Sequence, residues 1–315
     1  MVNGSNSSKK GDFLTLQSLS PEILHRILDL TDRLKNRPVD VCDNQVLALV
    51  FEKPSTRTRT SFTVGFRQLG GSTLFLGRDD IQLSRGETVA DTARTLSRYV
   101  DIISCRTFEH HRIEELAEHA SIPIINALTD WAHPCQALSD VYTILSKSTM
   151  EHPVVAYVGD GNNVCHSLMQ AAVPFSINLR IASPEGYEPD EELLRTLQDQ
   201  GAAIEIFEDP ADAARGAEFV YTDVWTSMGD ENEAQERRQV FEPYQVNSEL
   251  LDHASDSVKV VHCLPAHRGE EITDEVMDGS RSVVFDQAEN RLHVQKALMA
   301  YLMADSKKID DFLSE

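Results

Sequence analysis

The order of apolar segments along the chain constrains the fold more than any other feature of the sequence. Short runs rich in β-branched and other apolar residues alternate with longer segments in which apolar residues recur with helical spacing, a pattern typical of a parallel α/β sheet. In the first half, the predicted strands are residues 46–51, 72–76, 101–105 and 122–126, and the predicted helices are residues 55–69, 87–100, 109–119 and 133–145. A polar segment follows and predicts a linker.

The same alternation begins again after the linker, so the sequence predicts a second α/β domain. Its predicted strands are residues 154–158, 179–182, 204–207, 219–221, 258–262 and 282–285. A helix is predicted from about Asn163, and residues 287–303 again have helical apolar spacing. We therefore expect two domains, each a mainly parallel sheet flanked by helices, over residues 1–146 and 147–286, followed by a C-terminal helical segment at residues 287–315.

The composition argues against several classes of protein. The chain carries 51 acidic and 29 basic residues, a net charge of −22, whereas non-specific binding to nucleic acid or an anionic membrane needs clustered Lys and Arg. There is no apolar run of about 18 residues and no apolar signal core at the start, so we expect a cytoplasmic protein. Five scattered cysteines without CxxC spacing predict reduced thiols and no structural metal site.

The acidic surplus also suggests a hypothesis about habitat. High salt screens the repulsion between carboxylates, so such a surface suits a halophilic protein. An ordinary acidic cytosolic protein is the alternative. If the chain is adapted to salt, its melting temperature, measured by calorimetry, will rise steeply between low and molar KCl. An unchanged melting temperature would contradict the hypothesis.

The segment Ser55-Thr56-Arg57-Thr58-Arg59 begins a predicted helix directly after the first strong strand. In a parallel sheet, ligands bind beyond the carboxyl ends of the strands. Ser55 is a suitable N-cap, and the backbone N–H groups that follow a cap have no partner inside the helix. The segment is therefore placed to bind a ligand.

The charge of this helix start is unusual. Lys53, Arg57 and Arg59 crowd the positive end of the helix dipole, where acidic residues are preferred. Residues 53–78 contain no Asp or Glu, although the overall composition would place about four there. A bound phosphate would offset the positive charge through the helix amides and guanidinium groups. The sequence therefore predicts an anion site, with a solvated basic patch as the alternative.

Two further strand ends bring suitable groups to the same edge. Arg106 directly follows the predicted strand at residues 101–105, and His133 stands before Pro134 at the start of the next helix. The imidazole of His133 can donate to the same anion or to an acyl oxygen beside it. Gln136, one turn further on, can supply an amide.

Together, Ser-Thr-Arg-Thr-Arg at residues 55–59 and His-Pro-x-Gln at residues 133–136 resemble the hallmarks of the aspartate/ornithine carbamoyltransferase family. The resemblance extends from about Leu14 to Leu302. It implies that the first domain binds carbamoyl phosphate, that the C-terminal helix packs back on this domain, and that no metal or cofactor is needed. The matching carbamoyl phosphate positions are Ser55, Thr56, Arg57, Thr58, Gln82, Arg106, His133, Pro134, Cys135, Gln136, Cys263, Leu264 and Arg291.

Gln82 has a particular implication for assembly. It lies in a loop that, in the family, reaches into the site of a neighbouring subunit. The resemblance therefore implies a catalytic homotrimer or a multiple of trimers, which nothing in the composition indicates.

Two segments of the second domain resemble the ornithine branch of the family. They are residues 223–229, Asp-Val-Trp-Thr-Ser-Met-Gly, and residues 262–265, His-Cys-Leu-Pro, where the aspartate branch would have His-Pro-Gly-Pro. The resemblance implies a cis peptide between Leu264 and Pro265. It also implies that ornithine is bound by Asn163, Asp223, Ser227 and Met228, and that the catalytic residues are Arg57, Arg106, His133 and Cys263.

The residues themselves agree with a cationic acceptor. Asp223 ends a predicted strand, and residues 216–236 contain no Lys or Arg, whereas an aspartate acceptor would call for extra cations. The expected reaction is transfer of the carbamoyl group between carbamoyl phosphate and the side-chain amine of L-ornithine, giving citrulline and phosphate in arginine synthesis or breakdown. Taken alone, Asp223 could instead cap a helix, and Cys263 could be a buried thiol.

The sequence has features of other functions as well. Gly159 and Gly161 after a strand resemble part of a dinucleotide fingerprint, but the third Gly is absent and the next strand ends at Ala182-Ser183-Pro184 without an acidic ribose ligand. An NAD oxidoreductase is therefore disfavoured. A non-catalytic anion-binding protein is a second alternative, and carbamoyl transfer to putrescine or an acylated ornithine is a third.

Overall fold

The computed structural model describes residues 11–35, 37–82, 86–226 and 233–314. The chain forms two compact units, the first comprising Met1–Cys135 and Leu292–Glu315 and the second Gln136–Arg291. Both points of division fall inside helices. The domain boundaries expected after residues 146 and 286 stay predictions.

The regular elements confirm the predicted alternation of strands and helices. The strands are β1 (Val46–Phe51), β2 (Ser72–Gly77), β3 (Ile102–Arg106), β4 (Ile124–Leu128), β5 (Val154–Val158), β6 (Asn178–Ala182), β7 (Ile204–Phe207), β8 (Phe219–Thr222) and β9 (Lys259–His262). The helices are α1 (Pro21–Leu34), α2 (Thr56–Gln68), α3 (Val89–Leu96), α4 (His110–His119), α5 (Pro134–Lys147), α6 (Asn163–Ala172), α7 (Glu191–Asp199), α8 (Pro210–Ala214), α9 (Ala234–Phe241), α10 (Ser248–Leu251), α11 (Asp274–Asp278), α12 (Val284–Met303) and α13 (Ser306–Ser314).

The first unit is built on a parallel sheet with strand order β2-β1-β3-β4. The central strand β1 has the sequence Val-Leu-Ala-Leu-Val-Phe, and its residues from Leu47 onward are buried. A continuous apolar run is expected of a parallel strand because helices cover both faces of such a sheet. All four carboxyl ends lie on one edge.

The C-terminal helix contributes to the core of the first unit. Lys296 of α12 is fully buried, and its ammonium group donates hydrogen bonds to the carbonyl of Leu34 at the end of α1 and to Oε1 of Gln68 at 3.0 Å. Ser61 of α2 donates to Gln295 at 2.5 Å. A cation at a helix C-terminus is favourable because it meets carbonyl groups that have no helical partner. These contacts fit the predicted return of the C-terminal helix to the first domain.

The second unit has a five-stranded parallel sheet with strand order β7-β6-β5-β8-β9. Tyr157 of β5 is in register with Tyr221 of β8, and their ring centroids lie 5.5 Å apart. Both tyrosines are fully buried. The middle of this sheet therefore carries two hydroxyl groups into the interior, and both need hydrogen-bond partners.

The two glycines that resembled a dinucleotide fingerprint have local structural roles. Gly159 has a φ of 145°, which L side chains rarely adopt. At Gly161, an added Cβ would lie 2.2 Å from the backbone nitrogen of Pro189 and 2.4 Å from the carbonyl carbon of Glu188. The positive φ at Gly159 and the close approach of the backbone to Gly161 together explain the Gly-x-Gly spacing.

The predicted strand at residues 282–285 is wrong. Ser282 makes an isolated bridge with Val260, and the N–H of Val283 donates to the carbonyl of Val260 at 3.0 Å, but α12 begins at Val284. The carbonyl of Val283 already accepts the N–H of Gln287 at 2.9 Å. Val283 and Val284 are β-branched and favour a strand. Here, however, the backbone carbonyl of Val283 forms a hydrogen bond of the first turn of α12.

Among the described residues, no helix combines the length and the apolar character that crossing a membrane requires.

Candidate active site

The predicted anion-binding segment lies at the carboxyl end of β1, as the sequence indicated. Ser55 is the N-cap of α2, and its hydroxyl accepts the N–H of Thr58 at 3.3 Å. The first turn of α2 contains no acidic residue. Thr58 is fully buried, while Thr56 is exposed and Arg57 is half-buried. The helix start therefore presents N–H groups and a guanidinium group without a nearby carboxylate in its own turn.

Arg106 ends β3 on the same edge. Phe51 and Arg106 are partners in the parallel register, and the N–H of Glu52 donates to the carbonyl of Arg106 at 2.9 Å. The carboxylate of Glu52 accepts the hydroxyl of Thr107 and pairs with Arg112 at 3.0 Å. The turn between β1 and α2 is thus held against the end of β3. The sequence pattern predicts Arg106 as a site residue but does not indicate Glu52, Thr107 or Arg112.

Two of the three cations around the helix start lie over aromatic rings. The ammonium of Lys53 is 4.2 Å from the ring centroid of Phe108, and the guanidinium of Arg59 is 3.6 Å from that of Phe75. Such contacts are attractive because the ring face carries negative charge. These contacts offset part of the repulsion that the sequence suggested among the cations at the helix start. Lys53 and Arg59 each lie over a ring, whereas no described ring contact involves Arg57.

The turn before α5 places His133. The N–H of Thr129 donates to the carbonyl of Ala132 at 3.0 Å, and the N–H of Ala132 donates to the hydroxyl of Thr129 at 3.2 Å. His133 follows this turn and is 5% exposed, directly before Pro134 at the first position of α5. The thiol of Cys135 donates to the carbonyl of Asn126 at 3.3 Å, which anchors the helix start to β4.

Three predicted site residues lie in or beside segments outside the described residues. Ser227 and Met228 are in residues 227–232, which are not described. Gln82 is described and exposed, and it directly precedes residues 83–85, which are not described.

In the second unit, Asp223 follows β8 and is 5% exposed. Its Oδ1 accepts the thiol of Cys263 at 2.7 Å and the N–H of Val224 at 2.8 Å, and its Oδ2 accepts the amide of Asn162 at 3.1 Å. The structure therefore joins two predicted site residues, Asp223 and Cys263. Asn162 caps α6 and contacts Asp223, whereas the sequence pointed to its neighbour Asn163.

The thiol of Cys263 is held in its neutral form. Burial raises the pKa of Cys263 well above its ordinary value, and the charge of Asp223 and the hydrogen bond to Asp223 raise this pKa further. Since the thiolate is the nucleophilic form, the geometry favours Cys263 as a hydrogen-bond donor over Cys263 as a nucleophile.

The loop after β9 has an unusual backbone. The Leu264–Pro265 peptide is cis, which confirms the expectation, and Leu264 has a φ of 58°. The N–H of Leu264 donates to Nδ1 of His262 at 2.9 Å, so Nδ1 is an acceptor, and Nε2 of His262 donates to Glu271 at 3.0 Å. This pair of bonds assigns His262 as the neutral tautomer with its proton on Nε2, and it fixes the loop that carries Cys263.

A buried carboxylate that sequence analysis missed lies between Gln136 and this loop. Asp140 accepts hydrogen bonds from Gln136, Tyr221 and Gln287. Burial raises the pKa of Asp140 to about 6, although these three bonds and the charge of Arg291 act in the opposite direction. An acid one turn after Gln136 on a largely apolar helix was the available sequence signal. We call these four hydrogen-bonded residues, Gln136, Asp140, Tyr221 and Gln287, the Asp140 cluster.

Asp223, His262 and Cys263 also have the spacing of metal ligands, within 4.8 Å of one another. Both ring nitrogens of His262 already form hydrogen bonds, with Leu264 and Glu271, and the thiol donates to Asp223. These bonds use the atoms that a metal would need, so the arrangement is that of a hydrogen-bonded site.

The comparisons with known proteins match both units. Residues 11–146 match the aspartate/ornithine carbamoyltransferase carbamoyl-P binding domain, and residues 152–302 match the Asp/Orn binding domain of the same family. An ornithine carbamoyltransferase from Thermococcus kodakarensis is 52% identical over 306 residues, covering 94% of this chain and 97% of the relative. One from Bacillus subtilis is 51% identical over 298 residues, covering 93% of each.

Solved structures agree with these sequence matches. The ornithine carbamoyltransferase of Pyrococcus furiosus superimposes with a TM-score of 0.89 at 49% identity, covering 93% of this chain and 96% of that one. The Thermus thermophilus enzyme gives a TM-score of 0.86 at 42% identity, covering 93% and 98%.

The chain belongs to the aspartate/ornithine carbamoyltransferase family.

The neutral state of Cys263 leads to a prediction about thiol reactivity. Iodoacetamide at pH 8 will alkylate Cys263 slowly, because its raised pKa leaves little thiolate. Asp223→Asn will increase the rate, since it removes the negative charge that raises the thiol pKa. Peptide mass spectrometry over time measures both rates. Equal rates in the two proteins would contradict the assigned cause, and Cys165, whose pKa is also raised well above its ordinary value by burial, is the internal control.

Proposed function

We propose that the chain is an ornithine carbamoyltransferase, which transfers the carbamoyl group of carbamoyl phosphate to the side-chain amine of L-ornithine and gives L-citrulline and phosphate. The observation that carries the choice of acceptor is Asp223. It is a buried carboxylate at a strand end, in a segment, residues 216–236, that contains no Lys or Arg. A cationic amine complements such a site, whereas an aspartate acceptor would be repelled. Relatives about 50% identical carry the same name.

We assign the phosphate to the start of α2. Ser55, Thr56, Arg57 and Thr58 supply backbone N–H groups, hydroxyl groups and one guanidinium group to an anion at the positive end of the helix dipole. The capped geometry of Ser55 and the shared sheet edge with Arg106 support this assignment.

The carbamoyl group needs donors for its carbonyl oxygen, which gains negative charge as the amine attacks. Thr58, Arg106 and His133 are the proposed donors, and Gln136, Leu264 and Arg291 are proposed to contact the same substrate. Donors fixed in place before the reaction lower the barrier because they need no rearrangement as charge develops. The burial of Thr58, Arg106 and His133 supports this role.

The ornithine head group is assigned to the second unit. Asp223 is proposed to bind an amino group, with Asn163, Ser227 and Met228 completing the contacts. Cys263 then acts as a neutral donor that orients the Asp223 carboxylate, which their 2.7 Å hydrogen bond supports.

The reaction requires a neutral attacking amine. An amine of the lysine type has an unperturbed pKa near 10.4, and desolvation of a site closed to water lowers that value. The nitrogen then bonds to the carbonyl carbon while the bond from this carbon to the phosphate oxygen breaks, and one N–H proton of the attacking nitrogen passes to the departing phosphate. Arg57 and the α2 amides stabilise the departing phosphate.

The cellular setting follows from the same proposal. We propose a cytoplasmic enzyme of arginine biosynthesis, since a Pyrococcus furiosus relative at 49% identity is named anabolic. Breakdown of citrulline is the same reaction in reverse. The halophilic character of the surface stays a hypothesis.

Replacing either proposed arginine tests the phosphate half of the site. Arg57→Ala and Arg106→Ala will each lower kcat for citrulline formation about 10²-fold to 10³-fold, because each removes a charged donor from the transition state. A colorimetric citrulline assay on proteins with unchanged circular dichroism measures this. Arg67→Ala, at the exposed far end of the same helix, is the matched control and will retain activity within about twofold. Full activity in either site variant would refute the assignment.

The proposed homotrimer predicts a definite mass in solution. Light scattering will give about three times the 35.2 kDa of one chain, or a multiple of that value. Gln82, which the family resemblance places in a neighbouring subunit's site, is exposed here. A monomer that forms citrulline at the full rate would contradict the need for a neighbouring subunit.

A further inference from the structure

Asp140 is a fully buried acid to which the motif resemblance gives no role. It lies in α5 one turn after Gln136. Its Oδ1 accepts Nε2 of Gln136 at 2.7 Å and Nε2 of Gln287 at 2.6 Å, and its Oδ2 accepts the hydroxyl of Tyr221 at 2.9 Å. Burial of a carboxylate is costly unless donors satisfy it. Three neutral donors from α5, α12 and β8 meet that requirement.

The first consequence concerns the orientation of Gln136. Because its amide nitrogen donates to Asp140, its amide oxygen must point elsewhere, and the flipped amide would set this oxygen against a carboxylate. Oε1 of Gln136 is buried and makes no hydrogen bond to any of the described residues. Gln136 itself is 1% exposed. Asp140 therefore fixes the orientation of the Gln136 amide. The amide oxygen, which is a hydrogen-bond acceptor, is the atom left without a donor among the described residues.

The second consequence concerns the loop after β9. Nε2 of Gln287 also donates to Asp140, so Oε1 of Gln287 points away from this carboxylate. This oxygen accepts the backbone N–H of His262 at 2.8 Å. His262 directly precedes Cys263 and Leu264. One carboxylate thus fixes both the Gln136 amide oxygen and the start of the loop that carries two proposed site residues.

We propose that Asp140 is a positioning residue whose carboxylate orients the amide oxygen of Gln136 as a hydrogen-bond acceptor for the NH₂ group of the carbamoyl substrate and, through Gln287, holds the start of the loop that carries Cys263 and Leu264. The inference rests on the proposed function, because it takes carbamoyl phosphate as the ligand. It adds that recognition of the carbamoyl NH₂ group, as distinct from recognition of the phosphate, depends on Asp140 together with Gln136 and Gln287. A methyl group in place of NH₂ would leave the buried oxygen of Gln136 without a donor.

Three probes separate recognition of the carbamoyl NH₂ group from recognition of the phosphate. Phosphonoacetamide keeps the NH₂ group, 2-oxopropylphosphonate replaces it with a methyl group, and inorganic phosphate lacks the acyl part. Calorimetric dissociation constants will give a wild-type preference of about tenfold for phosphonoacetamide over 2-oxopropylphosphonate, the size expected when one or two hydrogen bonds are lost.

Variants of the Asp140 cluster then identify the cause of the preference. Asp140→Leu removes the acceptor for both amides, so the preference will fall below about twofold while the affinity for inorganic phosphate stays within about twofold. Asp140→Asn will retain the preference, because its Oδ1 can still accept both amides and its nitrogen can donate to Tyr221. Tyr221→Phe is the matched control, since it removes a buried hydrogen bond to Oδ2 but leaves the two amides in place.

Each result decides the proposal. A preserved preference in Asp140→Leu would overturn it, as would an equal loss in Tyr221→Phe or a parallel loss of phosphate affinity, either of which would indicate general damage. If Asp140→Leu does not fold, Gln287→Met tests the link from Asp140 through Gln287 to the loop after β9. We expect the same loss of preference, and an unchanged preference would contradict the proposal. Citrulline formation by the wild-type enzyme tests the proposed function separately.

Discussion

Parallel pairing of the nine strands in the described part of the chain is the constraint from which the candidate site follows. In a parallel sheet all carboxyl ends lie on one edge, and the helices that follow begin there with unpaired N–H groups. In the first unit this edge carries Ser55 at the start of α2 and Arg106 at the end of β3, held in register by the pairing of Phe51 with Arg106. In the second unit the corresponding edge carries Asp223 and Cys263. The chemistry of each unit is therefore set by the residues that follow its strands.

The candidate site residues of the two units carry opposite charges. The start of α2 gathers cations, two of which lie over aromatic rings, and it suits an external anion. The second unit holds two buried carboxylates with several donors each: Asp223 accepts from Cys263, Asn162 and Val224, and Asp140 accepts from three side chains. Buried acids held by neutral donors are fixed in place. Such acids can orient other groups, as we infer for Asp140.

Local patterns account for what could be predicted from sequence. The strands were predictable because apolar β-rich runs reflect burial on both faces, and the cap at Ser55 was predictable because its hydrogen bond reaches only as far as Thr58. The strand predicted at residues 282–285 failed because the turn into α12 overrides the preference of two valines. The roles of Asp140 and Asn162 depend on Gln287 and Asp223, which are distant in sequence. A single sequence does not reveal such pairs, whereas the motif resemblance identified residues such as Asp223 and Cys263 through their family positions.

Use of ornithine as the acceptor can be tested by comparing two amines. The purified chain, supplied with carbonyl-labelled ¹³C-carbamoyl phosphate, would be assayed by NMR for the labelled ureido carbon with L-ornithine or with putrescine, which has both amines of ornithine but lacks its α-carboxylate. We expect citrulline and phosphate in equal amounts from L-ornithine, with kcat/KM for putrescine lower by about a hundredfold or more, since putrescine forfeits the hydrogen bonds of the α-carboxylate. Equal or faster carbamoylation of putrescine, or release of phosphate without citrulline, would contradict it.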